Sequence, residues 1–276
     1  MNALEIHGLT KRRGDFVLRG LELTLPAGCI MGLIGENGAG KSTTIRLILN
    51  ALSRDGGTVA VYGKDNRALT PLEREDIGAV LDEVGLPEYM TARQIGRMMA
   101  GIFTRWQPEV YRGYLRRLAL PEDKPFRDFS RGMKMKLGLA AALSHQPKLL
   151  LLDEATSGLD PVVRDEILTI FADFTRDEEH AVLISSHIVS DLEKICDYIA
   201  FLHKGRLLLC EEKDRLTEAY GILRGGAEDI DPAAVCGRHT TPYGTEYLVR
   251  RDAVPVGMAL GQVNIEDLFV FMAKEA

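Results

Sequence analysis

Short apolar runs separated by glycine and proline turns open the chain, and this pattern is typical of strands joined by tight turns. The first three runs are Leu4–Leu9, Leu18–Leu25 and Cys29–Ile34. After the third run, apolar residues recur every three or four positions from Ser42 to Leu52, which predicts a helix with one buried face. A strand, a glycine-rich turn and a helix therefore form the first structural unit.

The middle of the chain changes from strand-like to helical patterns. Runs at Thr58–Tyr62 and Ile77–Leu81 predict two more strands. Helical patterns over Arg93–Phe103 and Pro108–Leu120 then predict a helical subdomain, inserted at about residues 84–145, in place of a simple strand–helix–strand continuation.

Continuous apolar runs return in the second half, at Leu149–Leu152 and Ala181–Ser185. Strands this apolar are those of a parallel sheet that is buried on both faces. Two further runs, Tyr198–Leu202 and Arg206–Cys210, are joined through Lys204-Gly205 and predict a closing hairpin.

The composition of the chain changes beyond Gly221, where short strand-like pieces alternate with glycine and proline. The segment Ile265–Met272 predicts a last amphipathic helix. We therefore expect a main domain over residues 1–220 and a small C-terminal accessory domain over residues 221–276. A tail that merely decorates the main domain is the alternative.

Charge and composition narrow the function. A net charge of −6, from 34 basic and 40 acidic residues, gives no overall attraction for nucleic acid, so nucleic acid is not an expected partner. The chain has neither a signal-peptide pattern at its N-terminus nor an apolar run long enough to span a membrane, so we expect a cytoplasmic protein. The cysteines lack metal-ligand spacing, which predicts buried free thiols in a reducing compartment. They are Cys29, Cys196, Cys210 and Cys236.

A phosphate-binding loop follows the third apolar run. Its residues, Gly35-Glu36-Asn37-Gly38-Ala39-Gly40-Lys41-Ser42, fit the pattern G-x-x-x-x-G-K-[ST] between a strand and a helix. The glycines let backbone N–H groups surround phosphate oxygens, Lys41 reaches the β and γ phosphates, and Ser42 binds Mg²⁺. Thr43, the next residue, is also expected to contact the nucleotide. The motif by itself predicts binding of a nucleoside triphosphate, which kinases, GTPases, helicases and transport ATPases share.

Two adjacent carboxylates follow the buried run Leu149–Leu152. Asp153 and Glu154 fall at the carboxyl end of this strand, the edge at which α/β folds bind ligands. We expect Asp153 to belong to the Mg²⁺ shell and Glu154 to polarise the attacking water.

Together these residues resemble the ATP-binding cassette (ABC) family over about residues 3–220. After the Asp-Glu pair comes Ser157-Gly158-Leu159-Asp160, before its strand lies Phe129-Ser130-Arg131-Gly132-Met133, and His187 follows the next strand. The resemblance implies an α/β P-loop NTPase cassette with an N-terminal antiparallel β subdomain, the inserted helical subdomain and the small C-terminal accessory domain.

The resemblance also implies roles for residues outside the P-loop. His187 would contact the γ-phosphate and hold the attacking water, and Asp160 would belong to a loop that communicates between two ATP sites. Ser130 and Gly132 would face the γ-phosphate bound to a second subunit, although Arg131 and Met133 depart from the family's usual Leu-Ser-Gly-Gly-Gln. Ser130 also suits a simple helix cap.

Two further positions depart from the family pattern. The aromatic residue that usually stacks on adenine corresponds to Arg13, whose guanidinium can also stack on a base, and Phe16 lies nearby. The family's glutamine at the entry to the helical subdomain corresponds to Asp82, or alternatively to Glu83, and a carboxylate there is able to approach Mg²⁺.

The subgroup that the chain most resembles is that of exporter ATPases paired with six-span permeases, some of which export peptides, antibiotics or lipids. This implies ATP hydrolysis with ATP and Mg²⁺, a membrane-spanning permease on a separate chain, a second nucleotide-binding subunit, and a peripheral location on the inner face of the cell membrane. The alternatives are a soluble cassette ATPase of DNA repair or the ribosome, and a small-molecule phosphotransferase. A soluble cassette ATPase usually has long coiled-coil insertions or two cassettes on one chain, and neither appears in this sequence. A phosphotransferase would lack the helix that Phe129–Met133 opens.

Overall fold

Strands and helices alternate along the chain in the order that the apolar pattern predicts. The computed structural model describes residues 1–225, 230–242, 244–255 and 258–275. The strands within these residues are β1 (Asn2–Arg13), β2 (Phe16–Pro26), β3 (Ile30–Ile34), β4 (Gly56–Val61), β5 (Lys64–Asp65), β6 (Ile77–Val80), β7 (Leu149–Asp153), β8 (Ala181–Ser186), β9 (Tyr198–His203), β10 (Arg206–Glu212), β11 (Tyr220–Arg224), β12 (Val235–Thr241) and β13 (Gly244–Arg250).

The helices begin at polar caps more often than at apolar residues. They are α1 (Lys41–Ile48), α2 (Pro71–Arg74), α3 (Ala92–Ala100), α4 (Pro108–Arg117), α5 (Arg131–Leu143), α6 (Pro161–Phe174), α7 (Val189–Ile195), α8 (Lys213–Ala219) and α9 (Ile265–Glu275). The side chain of Thr91 caps α3 by accepting a hydrogen bond from a first-turn N–H group. Helix α1 ends before the predicted Leu52, because Asn50 adopts φ = +54° and turns the backbone out of the helix.

Two sheets form the main body. The first has the order β2-β1-β4-β5 and is antiparallel, as predicted for the N-terminal subdomain. The second has the order β10-β9-β3-β8-β7-β6, in which β10 pairs antiparallel with β9 and the other neighbours are parallel. Every residue of β3, β7 and β8 is buried, which explains why these strands are apolar except for the polar residues that end β7 and β8. The fold is therefore the predicted α/β cassette.

Three helices of the chain between β6 and β7 pack together on one side of this sheet. Helices α3 and α4 approach closely where Gly96 faces the ring of Tyr111, since a Cβ at position 96 would lie 2.5 Å from that ring. The Tyr111 hydroxyl donates a 2.8 Å hydrogen bond to the carbonyl of Ala92. Helix α5 follows and leads into β7, so its first turn projects from the same end of the sheet as the phosphate-binding loop.

The C-terminal segment forms a three-stranded antiparallel sheet, β11-β13-β12, followed by α9. Helix α9 packs on the main body, where the ring of Phe269 meets that of Phe201 edge-on with 5.3 Å between centroids. Buried Leu248 and Leu268 belong to the same hydrophobic cluster as Phe201. The segment therefore shares a hydrophobic core with the cassette, and the domain border at residue 220 stays a prediction.

The cysteines form no disulfide, in agreement with the prediction of free thiols. Cys196 is buried, but Cys29, Cys210 and Cys236 are only half-buried, so the prediction of four buried thiols is wrong for these three. They lie on or beside strands that have one face at the edge of the core, which leaves part of each side chain open to solvent. None of the helices in the described part of the chain is long and apolar enough to cross a membrane.

Candidate functional site

The phosphate-binding loop joins β3 to α1 in a conformation that requires its glycines. Gly38 and Gly40 have φ = +84° and +115°, values that side-chain-bearing residues rarely adopt. A Cβ at position 35 would lie 2.4 Å from the carbonyl oxygen of Leu202, and one at position 40 would lie 2.7 Å from the Phe16 ring. The loop is thus packed tightly against β9 and the start of β2.

Lys41, the first residue of α1, is buried and turns its ammonium group back toward the loop. Its Nζ donates hydrogen bonds to the carbonyl oxygens of Gly35, at 2.7 Å, and Glu36, at 3.3 Å. The same Nζ lies 3.1 Å from Oε1 of Glu154. A fixed positive charge therefore stands at the N-terminus of α1, where the helix dipole also favours anions.

The Asp-Glu pair lies at the carboxyl end of β7, as predicted. Asp153 is only 2% exposed, and its Oδ1 accepts a 2.6 Å hydrogen bond from the Ser185 hydroxyl. The backbone N–H of Glu154 donates to the same hydroxyl oxygen at 3.1 Å. Ser185 was not among the predicted site residues; a polar side chain near the end of the otherwise apolar run of β8 is the signal that would have found it.

Glu154 has the backbone conformation of a constrained site residue, with φ = +52°. A non-glycine residue in this region is uncommon, and such outliers cluster at functional sites. Its carboxylate lies between two partners: Oε1 is 3.1 Å from the Lys41 ammonium, and Oε2 accepts from Nδ1 of His187 at 2.7 Å. A carboxylate held by an ammonium group and an imidazole is arranged to orient a water molecule and accept its proton.

The donors near the loop suit Mg²⁺ better than a transition metal. The Ser42 hydroxyl and the Asp153 carboxylate are hard oxygen ligands, and buried Asp153 has no cationic side chain within ion-pair distance among the described residues. Those residues also contain no cluster of three or more acidic, histidine or cysteine side chains able to hold a metal alone. Mg²⁺ typically combines one or two protein oxygens with phosphates and water, so the donor set fits.

A cleft of about 390 Å³ surrounds the loop. It brings together several predicted residues, including Arg13, Asp82 and Glu154, with Phe16 at one wall. Its lining residues are Arg13, Phe16, Glu36, Asn37, Gly38, Gly40, Lys41, Ser42, Thr43, Asp82 and Glu154. Of the two alternatives for the family's glutamine position, Asp82 lines this cleft and Glu83 does not. The Asp82 carboxylate accepts from Arg131 Nη2 at 2.8 Å, so an arginine occupies one side of it.

The predicted residues Gly35, Ala39, Asp153 and His187 do not line the cleft itself, although they adjoin residues that do. Three other predicted residues also lie outside it and act locally as helix caps or first-turn residues. Ser130 caps α5 by accepting from the N–H of Met133 at 3.3 Å. Asp160 caps α6, with Oδ1 accepting from two backbone N–H groups at 3.1 and 3.0 Å. Gly132, in the first turn of α5, is half-buried beside Leu159. Within one chain, Ser130 and Gly132 therefore do not contact the phosphate-binding loop.

The fold and the site define a P-loop ATPase of the cassette type. The sequence model of the family described as "ABC transporter" matches residues 18–157, and the chain belongs to this family. The residues that carried the resemblance in this chain include the phosphate-binding loop, the pair Asp153-Glu154 and His187.

Relatives and solved structures agree with this assignment. The chain is 28% identical to the bacitracin transport ATP-binding protein BcrA of Enterococcus faecalis, over 95% of this chain and 87% of the relative. It is 32% identical to the lantibiotic transport ATP-binding protein SrtF of Streptococcus pyogenes, over 76% of this chain and 91% of the relative. The solved "ATP binding subunit of ABC transporter" superposes with a TM-score of 0.71 at 26% identity, covering 78% of this chain and 91% of that one.

The chain is therefore a nucleotide-binding subunit that hydrolyses ATP for a membrane transporter. Its relatives are transport proteins, and they do not favour the alternative of a soluble cassette ATPase in DNA repair or on the ribosome.

Proposed function

We propose that this chain drives export of a peptide antibiotic or a similar peptide through a permease on a separate chain, working in pairs at the inner face of the cell membrane. Support for the cargo class comes from relatives named for transport of bacitracin and lantibiotics. Support for a separate permease comes from their description as transport ATP-binding proteins and from the absence of a membrane-spanning helix in the described residues.

The observation on which the proposal rests is the position of the Glu154 carboxylate, 3.1 Å from Lys41 Nζ and 2.7 Å from His187 Nδ1. In the structure, the Lys41 ammonium is bonded to the loop and to Glu154. When ATP enters, its phosphates provide new acceptors for this ammonium group. Glu154 is then free to accept a proton from water, and His187 orients that water. Bound Mg²⁺, held by Ser42 and Asp153, would neutralise charge on the phosphates.

Support for pairing of two subunits comes from the position of Phe129–Met133 outside the subunit's own cleft. Ser130 is exposed, and the N-terminal end of α5 offers N–H groups and positive dipole potential that the subunit's own cleft does not use. Gly132 leaves the backbone of that first turn accessible. We infer that these residues complete the nucleotide site of a second subunit, with ATP held between the two.

The test is hydrolysis by the chain with its permease in lipid vesicles. Glu154→Gln is expected to lower ATP turnover by about 10²- to 10⁴-fold, because an amide cannot accept the proton, while ATP binding remains. Glu179→Gln, which changes a carboxylate far from the cleft in an exposed ion pair with Lys148, is the matched control and should retain full turnover. Turnover above about a tenth of wild type in Glu154→Gln would place the general base elsewhere.

The cargo is tested in the organism that encodes the chain. Deletion of the gene should increase sensitivity to peptide antibiotics such as bacitracin, and wild-type but not Glu154→Gln protein should restore resistance. Unchanged sensitivity to every peptide tested, with normal ATPase activity of the purified complex, would contradict the peptide cargo and leave the ATPase assignment in place.

A further inference from the structure

The end of β9 and the turn that follows it contact the phosphate-binding loop. The turn Lys204-Gly205 connects β9 to β10, with φ = +44° and +76° at these two residues. The N–H of Gly205 donates a 3.0 Å hydrogen bond to the carbonyl of Ala39 in the loop. Together with the close approach of the Leu202 carbonyl to Gly35, this hydrogen bond ties the turn to both ends of the loop.

His203, the last residue of β9, makes a third connection through its side chain. It is only 5% exposed, and its Nδ1 lies 3.1 Å from Oε1 of Glu36, the second residue of the loop. Within the described residues neither ring nitrogen has a hydrogen bond of good geometry. A buried polar side chain in this condition is unusual, because burial without a partner costs free energy. The imidazole is thus within reach of Glu36 but not yet aligned with it.

Glu36 is also held through its backbone. Its carbonyl oxygen accepts a 3.3 Å hydrogen bond from Lys41 Nζ, the same ammonium group that is expected to meet the phosphates. The same carbonyl also accepts a 3.1 Å hydrogen bond from the N–H of Ala39, so movement of Lys41 toward a phosphate would remove one of its two donors. A contact contributes to ligand affinity only if it is stronger in the bound state than in the free state. The misaligned His203–Glu36 pair meets that condition if the exposed Glu36 side chain aligns with the imidazole as the loop adjusts to the phosphates.

We propose that His203 is a positioning residue for the nucleotide: its Nδ1–H forms a hydrogen bond to the Glu36 carboxylate as the loop closes on the phosphates, and this bond strengthens ATP binding. The proposal rests on the ATPase function and adds a residue outside the sequence motifs to it. His203 acts through Glu36 and is not itself in contact with the reacting atoms.

Matched variants of His203 separate positioning from simple packing. His203→Leu keeps an apolar group of similar size and removes both nitrogens, so the KM for ATP should rise about three- to tenfold, the range of a single hydrogen bond, with kcat little changed. Asn places its amide N–H near the position of Nδ1, so His203→Asn should stay within about twofold of wild type. Gln places its amide near Nε2, so His203→Gln should resemble His203→Leu.

A second readout distinguishes this role from a structural one. ATP raises the melting temperature of a protein that binds it, and the size of the rise reports affinity. The rise should shrink for His203→Leu and for Glu36→Ala, and the double variant should be no worse than either single variant, because both remove the same bond. Glu36 is on the surface, so Glu36→Ala tests the pair even if His203→Leu folds poorly.

The proposal fails if His203→Asn and His203→Gln bind ATP equally well, or if the effects of His203→Leu and Glu36→Ala add. These outcomes are distinct from failure of the proposed peptide export, which would appear as unchanged antibiotic sensitivity with normal ATPase activity of the wild-type complex. A uniform loss of kcat and of nucleotide-free stability in all His203 variants, with unchanged KM, would mean that the ring only fills space.

Discussion

Arg131 and Asp82 form an ion pair, with 2.8 Å between Nη2 and Oδ1, that joins the first turn of α5 to the end of β6. In the sequence, Arg131 departs from the family pattern, and Asp82, or alternatively Glu83, corresponds to the family's glutamine; the structure brings Arg131 and Asp82 into contact. Both side chains are more than half exposed, so the pair contributes at most about 1 kcal/mol to stability. Its importance lies in where it holds the Asp82 carboxylate.

The first prediction concerns competition between Arg131 and Mg²⁺ for Asp82. If the Asp82 carboxylate approaches the metal shell, Asp82→Ala should raise the Mg²⁺ concentration needed for half-maximal hydrolysis. Arg131→Ala should lower it, because the carboxylate loses its competing partner. A Mg²⁺ titration of ATPase activity measures both shifts.

The double variant Asp82→Ala, Arg131→Ala serves as the control for this experiment. The effect of Arg131→Ala should vanish once Asp82 is absent, since the two residues act through one contact. An identical Mg²⁺ dependence in all four proteins would leave Asp82 as the partner of Arg131 alone.

The sequence predicted where the local motifs lie in the fold, because each motif is a fixed run of residues with one backbone geometry. The loop around Gly40, the carboxylates Asp153 and Glu154, and their place at strand ends all follow from apolar runs next to polar residues. The contacts Arg131–Asp82 and His203–Glu36 join residues far apart in sequence. The spacing of apolar residues predicts helices and strands, but it does not predict which side chains at their ends come into contact. Sequence patterns also gave no sign that α9 would share the core of the cassette.

The second prediction concerns Lys41. Lys41→Ala removes the ammonium group that stands at the N-terminus of α1, so ATP affinity measured by calorimetry should fall by at least about tenfold, as expected for a charge-assisted contact. Arg46→Ala, an exposed cation on the same helix, is the matched control and should bind ATP normally. Near-normal affinity in Lys41→Ala would contradict the assignment of the loop.

The third prediction tests the shared core of the C-terminal segment. Leu268 is 1% exposed and lies in the cluster that includes cassette residues, so Leu268→Ala should lower the free energy of unfolding by about 2–5 kcal/mol. Exposed Leu72, replaced in the same way, should change it by less than about 0.5 kcal/mol. Because the core is continuous, denaturant unfolding should show one transition that includes β13 and α9. A separate early transition of residues 221–276 would instead support an independent accessory domain.

The fourth prediction concerns thiol reactivity. Burial raises the pKa of the Cys210 thiol to about 11. Because only the thiolate reacts, alkylation of Cys210 should be slow at pH 8 and should accelerate about tenfold per pH unit up to pH 10. A short unfolded cysteine peptide, with an ordinary pKa near 8.5, should level off above that pH. Peptide mass spectrometry resolves Cys210 from the other thiols, and a rate that levels off near pH 9 would contradict the prediction.

Two chains are proposed to share each ATP, and ATP-dependent dimerisation tests this sharing. Glu154→Gln should bind ATP without hydrolysing it and so accumulate as a dimer. Gly132→Asp adds a negative charge at the start of α5, which the proposed pairing places beside the γ-phosphate bound to the second subunit, and like-charge repulsion in such an interface costs several kcal/mol. A Cβ at position 132 would lie 3.4 Å from Leu159, an ordinary van der Waals distance, so Gly132→Ala serves as the uncharged control.

Size-exclusion chromatography with ATP compares Glu154→Gln alone, with Gly132→Asp, and with the neutral control Gly132→Ala. A shared site should give a dimer for Glu154→Gln alone and for Glu154→Gln with Gly132→Ala. The double variant Glu154→Gln, Gly132→Asp should remain a monomer that still binds ATP. Equal dimer yields in all three proteins would mean that the Ser130–Met133 segment is only a helix cap, and would contradict the shared site.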